Sequence, residues 1–414
     1  MQRLIKIAFL CLAVTAVASV AGVSSFNKEK TAKKNTPPKK TERRTFSTNE
    51  VISVKILSQT KIKELLFAPE RGSYQVLADG KNLITVDAQN ALKISIVNDS
   101  LELKAFEKQL GKCIFVKLVS YDDEKSFKAK CVTPDRKGRF FNDNLSVSIE
   151  NGFLRLINES KLDNYIDGVS EAEAGSRSTF EFYKVQSILA RTYALSHINK
   201  HQNEGFNLCD QTHCQAFFGR TAETDILQAV VSTKGKVVVD ENMNLIDAAF
   251  HSNSGGQTVN SEDVWGKPMP YLRSVKDSFS LKMPNARWQR KMAAQDWLSY
   301  LKIKHNYPVD DSSARWVALH FTQDTRRPNL EYYGAKVPLK NVRNDLQLKS
   351  TFFSVETQGD TVVFNGRGFG HGIGMCQEGA MRMTRLGYSY KDVLNFYYKN
   401  VHLIDIKDLN FFRE

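Results

Sequence analysis

Four stretches of this 414-residue chain concentrate residue types that do chemistry. In Tyr165-Ile-Asp-Gly168-Val-Ser-Glu171-Ala-Glu173, two carboxylates stand two residues apart. They suit general acid–base work, and equally the capping of a helix or plain solvation. On a strand they would share a face; on a helix they would point about 200° apart, so these two alone make a poor paired site. In Cys209-Asp-Gln-Thr-His213-Cys214, two thiols and an imidazole suit zinc, which normally takes four ligands. His201 or a residue from elsewhere would be the fourth. A Cys209–Cys214 disulfide with a bystander histidine fits the spacing as well.

The third stretch runs from His251-Ser252-Asn-Ser254-Gly-Gly to Trp265-Gly266. Hydroxyls, an imidazole and an indole in one loop suit a polar ligand such as a sugar. A Ser/His hydrolase would need a strand, a Gly-x-Ser-x-Gly turn and a helix, which are missing here. In the fourth, glycine recurs at every second position from Gly366 to Gly374 around His371. Backbone there can pass close to a partner. No parallel βαβ unit surrounds these glycines, so a nucleotide site is a weak reading.

The elements that position these stretches divide the chain. Short alternating apolar runs between Val51 and Ile157 predict strands, with hairpin turns at Asp79-Gly80 and Asn151-Gly152. After residue 160 the period becomes helical. Ser178-Thr-Phe-Glu181 reads as a capping box opening a helix over 179–200. Further helices are predicted at 225–233, 294–301, 376–386 and 390–398, and late strands at 352–356 and 361–366. The fold class is α+β: a β-rich N-terminal scaffold over 47–160, then a mixed α/β region over 161–405 whose loops and helix ends carry the four stretches.

Ahead of this lie an uncharged stretch and a basic one. Residues 7–27 carry no charge, follow Arg3 and Lys6, and end in small residues at Ala16, Ala18, Ser19 and Ala21. Residues 1–27 therefore read as an export signal, or as an uncleaved anchor if they span a bilayer. Residues 28–46 read as a disordered linker, with eight basic and two acidic residues between 28 and 44. The net charge is +13, from 58 basic and 45 acidic residues, and these two segments hold most of it. The linker suits an anionic membrane or wall polymer, or is a mere spacer; nucleic acid is a poor fit for an exported tail. Export permits disulfides. Cys113 and Cys131 read as flanking a hairpin, where they could pair. Composition, 42% hydrophobic and 25% charged, excludes a disordered chain and a multi-span membrane protein.

Six ordered motifs resemble the stage II sporulation protein D family. They stand at Tyr165–Glu173, Ala190–Ala194, His213–Gln215, His251–Gly266, Pro270–Val275 and Gly366–Ala380. The resemblance covers roughly residues 50–405. It implies a peptidoglycan lytic transglycosylase that cuts between N-acetylmuramic acid and N-acetylglucosamine, on strands stripped of stem peptides, leaving 1,6-anhydro ends. It makes the mixed α/β region over 161–405 the catalytic region, with a substrate groove. By position it makes Glu173 the single catalytic acid/base. It places Lys184 and Arg191 in the groove, with Ser252, Ser254 and His371 as further groove residues. It makes zinc at Cys209, His213 and Cys214 structural, with no catalytic cofactor. A cell-wall amidase is the implied partner, nucleic acid is not one, and the location is the envelope. A non-catalytic peptidoglycan-binding module or amidase activator is the alternative. Two positions depart from the pattern: Ala174 stands where methionine is frequent, and Cys376 where serine is.

Overall fold

The computed structural model describes residues 45–411, apart from 48, 106 and 107. The expected signal and nearly all of the linker lie outside them. Twelve strands between Val51 and Lys161, joined by the short Leu208–Cys209, form two sheets. The seven-stranded one has the order Leu208–Cys209, Val51–Ile56, Phe153–Lys161, Asn144–Glu150, Phe115–Val119, Tyr74–Ala78 and Lys81–Val86. The other has six: Arg139–Asn142, Ser126–Thr133, Glu64–Arg71, Leu92–Val97, Ser100–Ala105 and Lys108–Cys113. Alternation buries Ile52, Val54 and Ile56 from one sheet and Leu65 and Phe67 from the other. Tyr74 meets Phe67 and Phe127 across the sheets, with ring centroids 5.1 and 6.0 Å apart. Both expected turns form, with positive φ at Asp79, Gly80, Asn151 and Gly152.

The expected Cys113–Cys131 hairpin does not form. Phe115–Val119 and Ser126–Thr133 belong to different sheets, because the chain crosses from one to the other between them. Three strands separate the strand of Cys131 from that of Cys113. At about 4.8 Å per strand step, the thiols are far beyond disulfide reach, and both are free and buried.

Strand Phe153–Lys161 runs directly into α1 (Leu162–Ala174), followed by α2 (Phe180–Ser196) and α3 (Thr224–Ser232). The first core includes Leu162, Tyr165, Ile166 and Val169 of α1 together with the sheet residues, so it straddles residue 160. The capping box shifts by one residue. Thr179 is the N-cap, accepting from the Phe182 amide at 3.2 Å. Glu181 instead accepts from Lys184 and from the Tyr390 amide. Gly168 lets α1 close onto the loop after Cys214: a Cβ there would lie 2.0 Å from the Gly219 carbonyl oxygen. Gly168→Ala should destabilise by about 3 kcal/mol or more in urea titrations. A cost under about 0.5 kcal/mol, the size of a neutral surface change, would contradict this packing.

The rest comprises α4 (Ser261–Trp265), α5 (Ala294–His305), α6 (Ser312–Leu319), α7 (Leu339–Asp345), α8 (Gln377–Arg385), α9 (Tyr390–Tyr397) and α10 (Ile406–Phe411). A second core joins α2, α3, α8 and α9. A third packs α5, α6 and α7 on the antiparallel sheet Arg287–Ala293, Thr361–Arg367 and Phe353–Gln358. Trp297 and Phe364 meet edge to face at its centre, at 5.2 Å.

Candidate active site

Glu173 ends α1 at the wall of a cavity of about 470 Å³. Helix α2 supplies Tyr193 and its C-cap His197, the Cys209–Gln215 segment supplies Cys214 and Gln215, and Trp265 and His371 add aromatic surface. Because α1 is helical, Glu171 points elsewhere, and only Glu173 lines the cavity. Its carboxylate Oε1 accepts the Ala216 amide at 2.7 Å. Desolvation holds its pKa above the ordinary glutamate value, against the pull of that amide. It forms no ion pair among the described residues. The α1–α2 corner is held by the Tyr183 hydroxyl, which donates to the Gly175 carbonyl at 3.1 Å and accepts the Ser178 amide at 2.9 Å. The Gln377 amide donates to the Glu173 carbonyl at 3.1 Å, tying α8 to the same corner.

Asp247 also lines the cavity, with its Oδ1 3.4 Å from His197 Nε2. Burial lowers the His197 pKa although Asp247 opposes this. The His197 ring lies flat on Tyr193, at 4.1 Å. His371 sits 5.9 Å from Trp265 and accepts the Ile373 amide at Nδ1. Burial, helped by Arg343, takes its pKa down to about 4, so it is neutral at physiological pH.

One wall is fixed by a four-residue cluster. The ligand atoms of His201, Cys209, His213 and Cys214 all lie within 4.8 Å of one another. Cys214 Sγ is 3.4 Å from His201 Nε2 and 3.9 Å from His213 Nδ1, and Cys209 Sγ is 3.8 Å from His213 Nδ1. A tetrahedral zinc with the usual bond lengths spaces its ligands by about 3.3–3.8 Å; the three separations above are close to that, while the widest in the cluster, up to 4.8 Å, would have to draw in around the ion. His201 turns its other nitrogen, Nδ1, to Glu204 Oε1 at 2.5 Å, the carboxylate support common behind a metal-bound imidazole. His201 is therefore the candidate for the fourth donor that the Cys/His spacing leaves open.

The other expected groove residues divide. His371 is on the cavity; Lys184, Arg191, Ser252 and Ser254 do not line it. Lys184 pairs with Glu181 at 2.5 Å and lies over the rings of Phe180 and Tyr390. Arg191 is 1% exposed; it pairs with Asp163 at 3.0 Å and donates to the Thr233 carbonyl at 2.9 Å. It ties α2 to α1 and to the end of α3. Removing one partner of a buried pair costs about 3–5 kcal/mol. Arg191→Ala should therefore lower the thermal midpoint; glycan binding weakened at unchanged stability would instead restore the expected groove role. Ser254 is fully buried and donates to Asp277 Oδ2 at 2.7 Å. Ser252 uses its carbonyl to accept the Glu378 amide. The glycine run lies against the protein's own backbone: Phe369 and Asn253 exchange amide hydrogen bonds of 2.8 and 2.9 Å. A Cβ on Gly374 would lie 2.1 Å from the Ala249 carbonyl oxygen. Tyr193, His197 and Asp247 were not singled out as site residues in the sequence, although Tyr193 lies in the Ala190–Ala194 motif.

A family model described as "Stage II sporulation protein" matches residues 150–239. Stage II sporulation protein D of Bacillus subtilis is 30% identical over 258 residues, which cover 58% of this chain and 74% of that protein. The chain belongs to the stage II sporulation protein D family. The protein of that name from Bacillus amyloliquefaciens is 28% identical over 261 residues, covering 58% of this chain and 74% of its own. An amidase enhancer of Bacillus subtilis is 27% identical over 290 residues, covering 58% of this chain and 40% of the enhancer. The matched segment of the sporulation protein D family model holds Glu173 and all four candidate metal donors. The wall built from Asp247, Trp265 and His371 lies after it. Both departures from the family's motifs are accommodated locally. Cys376 caps α8 as a serine would, accepting the Gly379 amide at 3.2 Å, and Ala174 packs against the second core.

Proposed function

We propose that the protein is a peptidoglycan lytic transglycosylase, with Glu173 as its single general acid/base. The observation that carries this reading is a desolvated, unpaired carboxyl on the wall of a cavity sized for sugar rings. Such a carboxyl holds its proton until the bridging oxygen between muramoyl C1 and the next sugar needs it. As that C1–O bond breaks, the proton passes to the leaving oxygen. The muramoyl C6 hydroxyl then attacks C1, closing the 1,6-anhydro ring, and its proton returns to Glu173. One carboxyl suffices because the substrate brings its own nucleophile, whereas hydrolysis requires a second carboxylate. Trp265 offers a flat apolar face, and neutral His371 packs beside it. Zinc at His201, Cys209, His213 and Cys214 would act structurally, holding the loop whose Ala216 amide orients Glu173.

The relatives named for sporulation and for amidase enhancement support a role on peptidoglycan in the cell envelope, beside an amidase that supplies stripped strands. The N-terminal signal or tether accords with that location. Digestion of amidase-treated peptidoglycan, read by mass spectrometry, tests the reaction. Anhydromuramoyl ends are expected. Reducing ends carrying oxygen from labelled water would mean hydrolysis, with Asp247 as the second carboxylate. Intact strands that still bind would leave a binding module or an amidase activator.

A further inference from the structure

A second cavity, of about 390 Å³, shares no lining residue with the first. It lies where Arg71, Ser126 and Asn142 end or begin strands of the six-stranded sheet, beside the start of α1 and the segment 220–222. Two buried carboxyls line it, and they differ. Asp143 Oδ2 accepts the Ser160 hydroxyl at 3.1 Å, the Lys161 amide at 2.9 Å and the Asn164 side chain at 2.7 Å. These are neutral donors; Asp143 has no ion pair among the described residues. Asp167 is 3% exposed, and its Oδ1 has no hydrogen-bond partner. A buried polar atom left this way is costly unless something fills the space before it. Burial raises the Asp167 pKa well above the ordinary value, against the backbone amides of Thr221 and Gly168 and the charge of Arg220, which also act on this carboxyl. At the mouth, Lys161 is exposed and its ammonium has no carboxylate partner among the described residues. The other cations are engaged: Arg220 with Glu70 at 2.7 Å, Arg71 with Glu124 at 3.2 Å, and Lys125 with the Ser120 carbonyl.

We propose that this cavity binds a small zwitterion, an α-amino acid or a dipeptide, with its ammonium at Asp167 and Asp143 and its carboxylate at Lys161. The lining selects against simpler ligands. A phosphate or other anion would meet Asp143 and Asp167, with Asp123 and Glu124 beside them. A bare divalent cation would meet Lys161 and Arg71, and Asp143 already spends one oxygen on three donors. A zwitterion satisfies both ends at once. The volume lies within the range of small-molecule sites, about 300–1,000 Å³, and the scarcity of apolar lining favours a short polar ligand. The site touches both elements that hold Glu173. Asp167 is on α1, and Thr221 continues the segment that carries Ala216.

Calorimetric titration of the whole protein with L- and D-alanine, alanyl-alanine, N-acetylalanine and alaninamide tests this directly. At least one zwitterion should bind, and blocking either end should weaken it about tenfold or more, the effect of losing one charged hydrogen bond. Alanine against alanyl-alanine separates a free amino acid from a dipeptide. Capture of the ammonium by a protonated Asp167 should release a proton, so the binding heat should vary with the buffer's ionisation heat. Lys161→Met, an exposed change that spares the fold, should weaken binding about tenfold, and Asp167→Asn should abolish the buffer dependence. Equal binding of N-acetylalanine, equal binding of alaninamide, or no binding of any zwitterion at millimolar concentration would each overturn the proposal.

Discussion

Glu173→Gln protein should bind stripped glycan strands as wild type does and release anhydromuramoyl ends roughly 10²–10⁴-fold more slowly, the usual worth of a placed general acid/base. The amide keeps the shape of the side chain and can still accept from Ala216, so the corner between α1 and α2 stays intact. What disappears is the proton. Wild-type activity should fall as pH rises through the elevated Glu173 pKa, because only the neutral carboxyl can donate. Stability gives an independent reading. A carboxyl whose folded pKa is raised leaves the folded state favoured below the unfolded pKa, and that advantage is lost as pH rises through the folded value. The substitution should therefore raise the thermal midpoint at neutral pH while making no difference in acid. Cutting retained by Glu173→Gln would move the acid to another residue. Cutting lost together with binding would mean that the groove, not the proton, had been damaged.

The sequence carried the chemistry of the site further than its walls. Glu173, His371 and the Cys/His cluster stand in short motifs that offer acid–base and metal chemistry beside plainer readings, and the structure places Glu173, His371 and Cys214 on one cavity. Arg191 and Ser254 stand in equally compact motifs, yet their polar atoms face inward to Asp163, Thr233 and Asp277. Nothing in linear spacing separates a charged residue that faces a ligand from one that bolts two helices together. Asp247 shows the converse. It lies in a plain strand-like run, and it reaches the cavity through the packing of 247–250 beside α2 and the glycine loop. The sheets failed in a similar way. Alternation located the strands, but it holds no record of which sheet each one joins, so a crossing at 120–125 read as a hairpin. The glycine run was legible as a close approach. Its partner was not, because a backbone 110 residues or more away leaves no mark in the local pattern.

Removal of the proposed zinc should produce the second large effect. The loop from Cys209 to Cys214 has no regular structure beyond the two residues Leu208–Cys209, so its shape depends in part on side chains meeting at one point. Lys200 donates to the His213 carbonyl and the Cys214 amide to the Gln211 carbonyl, which holds the backbone, and the proposed zinc would join the four side chains. Cys209 and Cys214 share one hydrogen bond that draws the Cys209 thiol below its ordinary value and pushes Cys214 above it, so the pair favours one thiolate, the form a cation takes. An ion that binds the folded loop and not the unfolded chain stabilises by mass action. Protein dialysed against a strong chelator should lose roughly 5–10 °C in thermal midpoint and regain it with one equivalent of zinc. His213→Ala, which leaves three donors, should reproduce the loss and resist rescue. Activity should fall with it, because the Ala216 amide that orients Glu173 follows Cys214 by two residues. The pH profile of the residual activity should keep its shape, since a structural ion places the acid and takes no part in the proton transfer. An unchanged thermal midpoint after complete metal removal, with Cys209 and Cys214 found joined, would instead make this loop a disulfide staple.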